Sequence, residues 1–247
     1  MNLMKESHFI MNQICIEVLA SSSLGNAYLI NDGETSILLD AGVPFKEMQI
    51  KSDFKVNKVV ACFVSHEHGD HSKGLKELVK RAVDVYAPPE TITALNLSGH
   101  RVHPVTPSET YTVGSFKILP IKMFHDCECY GYLVQSVNTK EKLFFATDTY
   151  KIMVNPKGID YLIVEVNYQM EIINRLVNDG LVEPSIRGRL LQSHFELNDA
   201  LVWLKRIDKS KLKRIYVAHL SSANSDASEI KRAIIEATGI PVTICDI

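Results

Sequence analysis

Hydrophobic and polar positions alternate in short runs along the first third of the chain, a pattern typical of half-buried β-strands. These runs are separated by polar turns and cover residues 14–19, 27–30 and 35–39. Residues 58–64, KVVACFV, are almost continuously apolar, which predicts a strand buried on both faces. The spacing of Leu75, Leu78 and Val79 then predicts a helix over residues 72–81.

The rest of the chain mixes strand-like and helical patterns. Strands are predicted at 83–87, 109–113, 116–121, 130–135, 142–146, 161–165, 214–218 and 242–245. Helices are predicted at 171–177, 198–206 and 227–237. Residues 178–188 contain Gly180, Pro184 and Gly188, so we expect an irregular, substrate-facing loop there. Without a linker or repeat, the pattern indicates one α/β domain over residues 11–247, preceded by a loose, disordered extension at 1–10.

Composition narrows the class of protein. The 247 residues carry 27 Lys and Arg against 29 Asp and Glu, and 46% are apolar. This balance excludes a disordered chain, a collagen-like fibre and a basic protein that coats nucleic acid in bulk. The five cysteines have no even spacing, and neither a signal peptide nor a membrane-spanning run is found. We therefore expect a cytoplasmic protein with reduced thiols and no membrane partner.

Residues 65–71, SHEHGDH, place three histidines and an aspartate directly after the buried strand and before the helix. Imidazole nitrogens and carboxylate oxygens are the usual ligands of zinc and similar divalent ions. His66 and His68 can point to one side of an extended loop, while Asp70 and His71 face a second point nearby. This spacing predicts a metal site.

The HxHxDH segment at the end of a strand resembles the signature of the metallo-β-lactamase superfamily. That resemblance implies an αββα sandwich of two mixed sheets flanked by helices, with two metal ions along one edge. It also implies three later ligands at strand ends, in the order His, Asp, His. His125, Asp148 and His219 follow predicted strands in that order.

The resemblance also implies how the ligands are shared. One divalent ion is held by His66, His68 and His125. The other is held by Asp70, His71 and His219, and Asp148 bridges the two. Zinc suits this set best, and manganese or iron are alternatives.

Within the superfamily, residues 19–26, LASSSLGN, and 39–42, LDAG, resemble the WalJ/YycJ-type exonucleases, a branch near RNase Z. The resemblance extends over nearly the whole chain and implies that His194 approaches the scissile phosphate. His68 stands where flavodiiron proteins usually have Glu, which argues against a redox function. The chain departs from the branch at 165–169, EVNYQ, where a His is usual.

Together these patterns indicate a dinuclear metal-dependent hydrolase, a 5′-exonuclease-like phosphodiesterase acting on DNA by attack of a hydroxide that bridges the ions. The catalytic candidates are Asp70, Asp148 and His194. The candidates for binding nucleic acid are Asn167, Arg187, Arg189 and Ser221. Two alternatives stay open: a small-molecule lactonase, thioesterase or cyclic phosphodiesterase, and a non-catalytic metal-binding regulatory protein.

Some conspicuous residues are interpreted as structural. Cys127 and Cys129 are expected to be ordinary reduced cysteines, and Trp203 to lie in the core. Tyr150 and Tyr168 are expected to pack in the core or at the rim of the site rather than to stack on bases. The remaining histidines, expected at the surface, are His8, His100 and His103.

Overall fold

The computed structural model describes residues 13–245, so the extension expected at residues 1–10 lies outside the described part. The first half of the chain forms a sheet of six strands: β1 Cys15–Ser22, β2 Gly25–Asn31, β3 Ser36–Leu39, β4 Ala61–Phe63, β5 Asp84–Ala87 and β6 Val102–Pro104. The strands lie side by side in chain order. β1, β2 and β3 pair antiparallel, and β3 to β6 pair parallel.

The second half forms a sheet of seven strands: β7 Tyr111–Val113, β8 Phe116–Lys122, β9 Tyr130–Ser136, β10 Lys142–Ala146, β11 Tyr161–Glu165, β12 Arg214–Ala218 and β13 Val242–Ile244. These strands too lie in chain order. β7 to β10 pair antiparallel, and β10 to β13 pair parallel. Both sheets are therefore mixed, with antiparallel strands first and parallel strands after them.

The helices connect the parallel strands and cover the outer faces of the sheets. They are α1 Phe45–Lys51, α2 Gly69–Ser72, α3 Leu75–Lys80, α4 Pro89–Ala94, α5 Met170–Asn178, α6 Pro184–Ser193, α7 Leu197–Arg206 and α8 Ala227–Thr238. A 3₁₀ turn spans Lys55–Lys58. No helix within residues 13–245 is long and apolar enough to cross a membrane.

Alternation along the strands builds three apolar layers. In β3, Ile37 and Leu39 face the other sheet, whereas Leu38 packs with the helices outside. In β11, Ile163 faces inward and Leu162 packs outward with α7 and α8. Because successive side chains of a strand point to opposite faces, one sequence pattern supplies the layer between the sheets and the layer beneath the helices. The αββα sandwich expected from the sequence is confirmed.

A buried carboxylate ties the two sheets together at the end of the β2–β3 hairpin. Asp32 is 2% exposed and accepts hydrogen bonds from Ser115 Oγ in the β7–β8 turn at 2.7 Å and from Ser136 Oγ in β9 at 2.6 Å. Gly114, at φ +54°, brings the β7–β8 hairpin against Thr35, whose Oγ1 would lie 2.2 Å from a Cβ at this position. The contact therefore needs a glycine.

Several expected elements are different in the structure. The strand expected at 58–64 is shorter, because Lys55–Lys58 form the 3₁₀ turn and only Ala61–Phe63 are β4. The helix expected at 72–81 is two helices, α2 and α3, separated at Gly74, whose N–H donates to Ala41 O at 2.7 Å.

The expectation of an irregular loop at 178–188 was wrong for the second half of that segment. Helix α6 begins at Pro184, a residue favoured in the first turn of a helix, and continues through Gly188. Most of its side chains are exposed, so it lacks the apolar stripe by which a helix is identified in a sequence. Three short elements, α1, α4 and β6, were not predicted.

Candidate metal centre

The centre lies where strands of both sheets end. β10, β11 and β12 run parallel, and at their carboxyl ends stand Asp148, Glu165 and His219. In the other sheet β3 and β4 run parallel, and Asp40 and His66 follow their ends. Carboxyl ends of parallel strands meet at one edge of a sheet, so the topology alone gathers these polar side chains.

Three of these residues follow their strands in a backbone conformation that is rare for residues other than glycine. The φ angles are +59° at Asp40, +42° at Asp148 and +53° at His219. Such angles cost free energy and persist where the surrounding structure imposes them, which is frequent at functional sites. Each angle turns the chain sharply at the strand end.

A first group of possible metal ligands consists of His66, His68, His125 and Cys127, whose ligand atoms all lie within 4.8 Å of one another. His66 is fully buried, and Ser65 Oγ lies 2.9 Å from its Nδ1. Its Nε2 has no hydrogen-bond partner among the described residues. A buried nitrogen without a partner is costly unless it binds something, so His66 fits a metal ligand.

His125 is held so that its other nitrogen faces His68. Its Nδ1–H donates to Ser193 O at 2.7 Å, which leaves Nε2 3.3 Å from His68 Nδ1. Asp126 Oδ1 lies 3.1 Å from the same Nε2. Burial lowers the pKa of His125 and, together with nearby histidines, the pKa of His66. Both shifts favour the neutral ring, the state in which a histidine binds a metal.

A second group consists of Asp70, His71, Asp148 and His219, again with ligand atoms within 4.8 Å of one another. His71 Nε2 lies 3.2 Å from Asp148 Oδ1, and His219 Nε2 lies 3.1 Å from Asp70 Oδ2. Asp148 also approaches the first group, because its Oδ2 is 3.9 Å from His66 Nε2. This carboxylate therefore lies between the two groups.

Asp40 orients the ring of His71 from behind. The ring donates from Nδ1 to Asp40 Oδ2 at 2.7 Å, and Asp40 also accepts from Ser65 N–H at 2.7 Å. Burial opposes a charge on His71, but the neighbouring Asp148 and Asp40 raise its pKa well above the usual value. A histidine anchored by a carboxylate in this way presents its second nitrogen in a fixed direction.

A buried ion pair borders the second group. His194, the residue directly after α6, approaches Glu165 with 2.5 Å between Nδ1 and Oε1. The other Glu165 oxygen accepts from Thr149 N–H at 2.9 Å. Burial disfavours charge on both side chains, yet each stabilises the other, so the pKa of Glu165 is lowered and that of His194 is raised. His194 stacks on His219, with ring centroids 5.4 Å apart.

The electrostatics of the second group favour bound positive charge. Although burial opposes it, Asp148 and the hydrogen bonds of Asp70 and Glu165 raise the pKa of His219 to about 10. Hydrogen bonds from His219 and His71 likewise lower the pKa of Asp70, against the effect of burial. Divalent ions that bind here would displace these protons, because a ligating histidine must give up its proton on the metal side.

The four residues expected to bind nucleic acid lie in different surroundings. Asn167 is 4% exposed and donates to His219 O at 2.8 Å, so it lies behind that histidine. Arg187 is half-buried and donates to Asn174 Oδ1 at 2.7 Å, between α6 and α5. Arg189 is exposed on α6, upstream of His194. Ser221 is half-buried, and its N–H donates to Asn167 O at 2.9 Å.

Cysteines lie closer to the centre than expected. All five in the chain are free. Cys127 belongs to the first group of possible ligands, and Cys129 Sγ is 3.9 Å from His66 Nδ1. Burial, with help from Asp126, raises the pKa of the Cys127 thiol to about 12.

Two important side chains were not assigned a function from the sequence. Asp40 and Glu165 are both fully buried and each ends or follows an apolar strand, in SILLD and YLIVE. Asp148 also follows a buried strand, but it was assigned because the resemblance implies an Asp between two later histidines. Asp40 and Glu165 have the same kind of position, and neither belongs to the six ligands and the bridge that the resemblance implies.

Tyrosines, Trp203 and the remaining histidines mostly follow expectation. Tyr168 is 2% exposed and Trp203 5% exposed, as expected for the core, whereas Tyr150 is 36% exposed at the rim. His103 is partly exposed but pairs with Asp84 at 3.1 Å. His100 is exposed, and His8 lies outside the described residues.

Comparisons with known proteins agree with this geometry. Residues 35–219 match the sequence profile of the beta-lactamase superfamily domain. The chain is 28% identical to exodeoxyribonuclease YycJ of Bacillus anthracis over 84% of this chain and 83% of that protein. It is 25% identical to exodeoxyribonuclease WalJ of Streptococcus pneumoniae serotype 2, strain D39, over 84% of this chain and 82% of that protein. The fold is similar to that of YhfI from Bacillus subtilis, with a TM-score of 0.72, 18% identity, and coverage of 94% and 95% of the two chains.

Proposed function

The chain belongs to the metallo-β-lactamase superfamily, and from this membership we propose that it is a metal-dependent phosphodiesterase that degrades DNA from the 5′ end. The observation that carries the proposal is the Glu165–His194 pair, which forms a third cluster with Asp148 and His219 beside two groups of possible metal ligands that meet at Asp148. The ligand groups support a dinuclear hydrolase. The histidine supports a phosphate ester as the bond that is cleaved.

The donor set fits two divalent ions. His66, His68 and His125 would hold the first, and the second would be held by Asp70, His71 and His219. Asp148 would contact both. We propose zinc, which suits ligands rich in imidazole, with manganese or iron as the alternatives. When bound, such ions supply an activated water and neutralise charge on the transferred phosphate group.

The chain's own residues would orient and protonate the substrate. Nδ1 of His194 is hydrogen-bonded to Glu165. We therefore propose that the other ring nitrogen, Nε2, contacts the phosphate or the leaving oxygen. Because Glu165 favours the charged ring, His194 can stabilise an anionic transition state and donate a proton to the departing oxygen. Asp70 and Asp148 would orient the attacking water.

The other candidates are assigned by position. Asn167 lies behind His219, so we propose that it fixes that ring instead of contacting the substrate. Arg189 is exposed and would contact the backbone of the nucleic acid. Arg187 would hold α6 against α5. Ser221 would contact a phosphate next to His219. The names of the two relatives, both exodeoxyribonucleases, support DNA as the substrate.

The test is a panel of substrates offered to the metal-loaded protein. It contains 5′-phosphorylated single-stranded and duplex DNA, RNA, bis(p-nitrophenyl) phosphate, a thioester and a lactone. We expect stepwise loss of nucleotides from the 5′ end of DNA and slower hydrolysis of the small diester. Hydrolysis of the thioester or lactone alone would contradict the proposal. So would stoichiometric metal binding without hydrolysis of any substrate.

A further inference from the structure

A groove beside the centre has no assigned role. It has a volume of about 400 Å³, within the range of about 300–1,000 Å³ that is usual for ligand sites. Its lining comes from the segment after Asp148 and from helices α6 and α7. Two lining residues, Tyr150 and Phe195, are chain neighbours of residues at the centre, Thr149 and His194. Both positions are thus joined directly to the centre along the chain.

The walls of the groove expose large apolar side chains. Tyr150 is 36% exposed, Met153 62%, Leu191 38% and Val202 48%. The floor consists of buried residues such as Trp203, whose Nε1–H is already bonded to Val154 O at 2.9 Å. Exposed apolar side chains that cluster in a concave surface indicate a binding site, whereas scattered ones do not.

Charge around the groove favours an anionic ligand. Lys151 and Arg206 are exposed at its lining, and within residues 13–245 neither forms a salt bridge. Asp199 is the one carboxylate in the lining, so the groove has an excess of positive charge. An apolar surface with unpaired cations at its edge suits a ligand that has both flat apolar faces and phosphates.

Tyr150 is held in place by Phe124, a residue next to the centre. Its N–H donates to Phe124 O at 2.9 Å, and Phe124 directly precedes His125. The two aromatic rings meet edge to face, with centroids 6.0 Å apart. The ring is therefore supported on one side by the segment that carries a proposed metal ligand, and its exposed part is available for stacking.

We propose that this groove binds the unpaired nucleobases of a nucleic-acid strand whose scissile phosphate lies at the centre. Bases would stack on Tyr150 and pack on Met153 and Val202, while Lys151 and Arg206 bind the flanking phosphates. Bases can reach such walls only when they are not paired, so single-stranded DNA is the substrate class that the groove fits. The inference rests on the proposed function and adds to it a preference for single strands.

The test distinguishes binding of the strand in the groove from hydrolysis at the centre. KM and kcat are measured for the metal-loaded protein with 5′-phosphorylated oligothymidylate, with a blunt duplex and with bis(p-nitrophenyl) phosphate, which is too small to fill the groove. The variants are Tyr150→Ala, Tyr150→Phe and Val202→Asp. The matched control is Ile235→Asp, since Ile235 is similarly exposed, at 40%, on α8 and outside the groove.

Tyr150→Ala and Val202→Asp are expected to raise KM for oligothymidylate about tenfold, the effect of losing roughly one stacked base. Tyr150→Phe and Ile235→Asp should change it less than about twofold, and all four should leave hydrolysis of the small diester nearly unchanged. If KM for oligothymidylate is unchanged in both Tyr150→Ala and Val202→Asp, the groove does not bind the strand, while the proposed function stands.

An equal rise in KM for the blunt duplex would contradict the single-strand preference. A native dimer that Val202→Asp dissociates, measured by sedimentation, would instead identify the groove as an interface between copies. If no variant or native protein cleaves a phosphodiester, it is the proposed function that fails.

Discussion

His194 and Asp148 both contact His219, but their other partners differ. His194 contacts Glu165 and the ring of His219, and its nitrogens are outside both proposed ligand sets. Asp148 instead contacts His66, His71 and His219. If His194 donates a proton and Asp148 holds metal ions, as proposed, replacing the two residues should have different effects.

We expect His194→Ala to lower kcat on DNA by about 10²–10³-fold, because the proton donor is lost, while the bound metal stays the same. Metal per chain, measured by mass spectrometry after gel filtration, is the second readout. His100→Ala, at an exposed histidine, is the control. If His194→Ala loses metal in proportion to activity, the residue is a ligand and the assigned role is wrong.

Asp148→Ala should lose metal and activity together, because one carboxylate contacts both ligand groups. We expect fewer than two metal ions per chain and no measurable hydrolysis of DNA. The folded state should survive, as judged by circular dichroism. Two retained ions in the variant would show that the carboxylate is not needed to hold the metals.

At the scale of elements, helix α2, which carries two of the proposed ligands, is held by a close approach of the chain at Gly42. A Cβ at this position would lie 1.6 Å from Asp70 O and 2.6 Å from Asn26 N. The N–H of Gly42 donates to Asn26 O at 2.7 Å. The glycine thus sets the distance between the strand-end turn and the helix that carries Asp70 and His71.

Gly42→Ala is therefore expected to lower the free energy of unfolding by about 1–3 kcal/mol and to weaken metal binding, since backbone atoms must shift. Urea unfolding and a competitive chelator titration measure the two effects. Gly69→Ala is the control on the same helix, because a Cβ at Gly69 meets nothing within 4 Å. Equal stability of both variants would rule out the proposed role of the close approach.

The Asp32 contact between the sheets should make stability depend on pH. Burial by itself raises the pKa of Asp32, but hydrogen bonds from Ser136, Thr35 and Ser115 outweigh it and lower the pKa. A carboxylate with a lowered folded-state pKa stabilises the protein above the unfolded-state value of about 3.9. That contribution is lost as the pH falls through the folded-state pKa.

Asp32→Ala should lower the free energy of unfolding by about 1–3 kcal/mol at neutral pH, because two buried hydroxyls lose their acceptor. Below pH ~3.9 the difference from the native protein should shrink. Urea unfolding across this pH range measures it, with Asp179→Ala at an exposed position as the control. A difference that does not change with pH would mean that the charge of Asp32 contributes nothing.

At the scale of the whole molecule, each ligand group is assembled from both sheets. His66 and His68 follow β4 of the first sheet, and His125 follows β8 of the second. In the other group Asp70 and His71 come from the first sheet, and Asp148 and His219 from the second. Bound metal would therefore cross-link the two halves of the sandwich.

Removal of metal by a chelator is accordingly expected to lower Tm. A ligand present at a hundred times its Kd stabilises the folded state by about 2.7 kcal/mol. For a chain of this size that corresponds to several degrees, at about 2–4 °C per kcal/mol. Differential scanning fluorimetry with and without added zinc measures the shift, and restoring the metal should reverse it. A Tm that is the same in both conditions would mean that the ions do not bind across the sheets.

The strands could be predicted because they depend on short, local patterns, whereas the sandwich followed from the resemblance that the HxHxDH segment carries. The same resemblance pointed to Asp148 and His219, and the structure brings both side chains close to Asp70 and His71. Helix α6 could not be predicted, since its exposed surface gives no periodic apolar signal. The position of Asn167 behind His219 also could not, because it depends on how two neighbouring strand ends pack.

Because the first sheet is complete by Pro104 and the second begins at Tyr111, one short connection separates the proposed ligands into two sets. A nascent chain, or a fragment cut in that connection, holds only part of either group. The last of the proposed ligands, His219, is synthesised after every strand except β13. The proposed centre would therefore stay incomplete during translation until the final strands emerge, and proteolysis at the connection would inactivate it unless the fragments stay together.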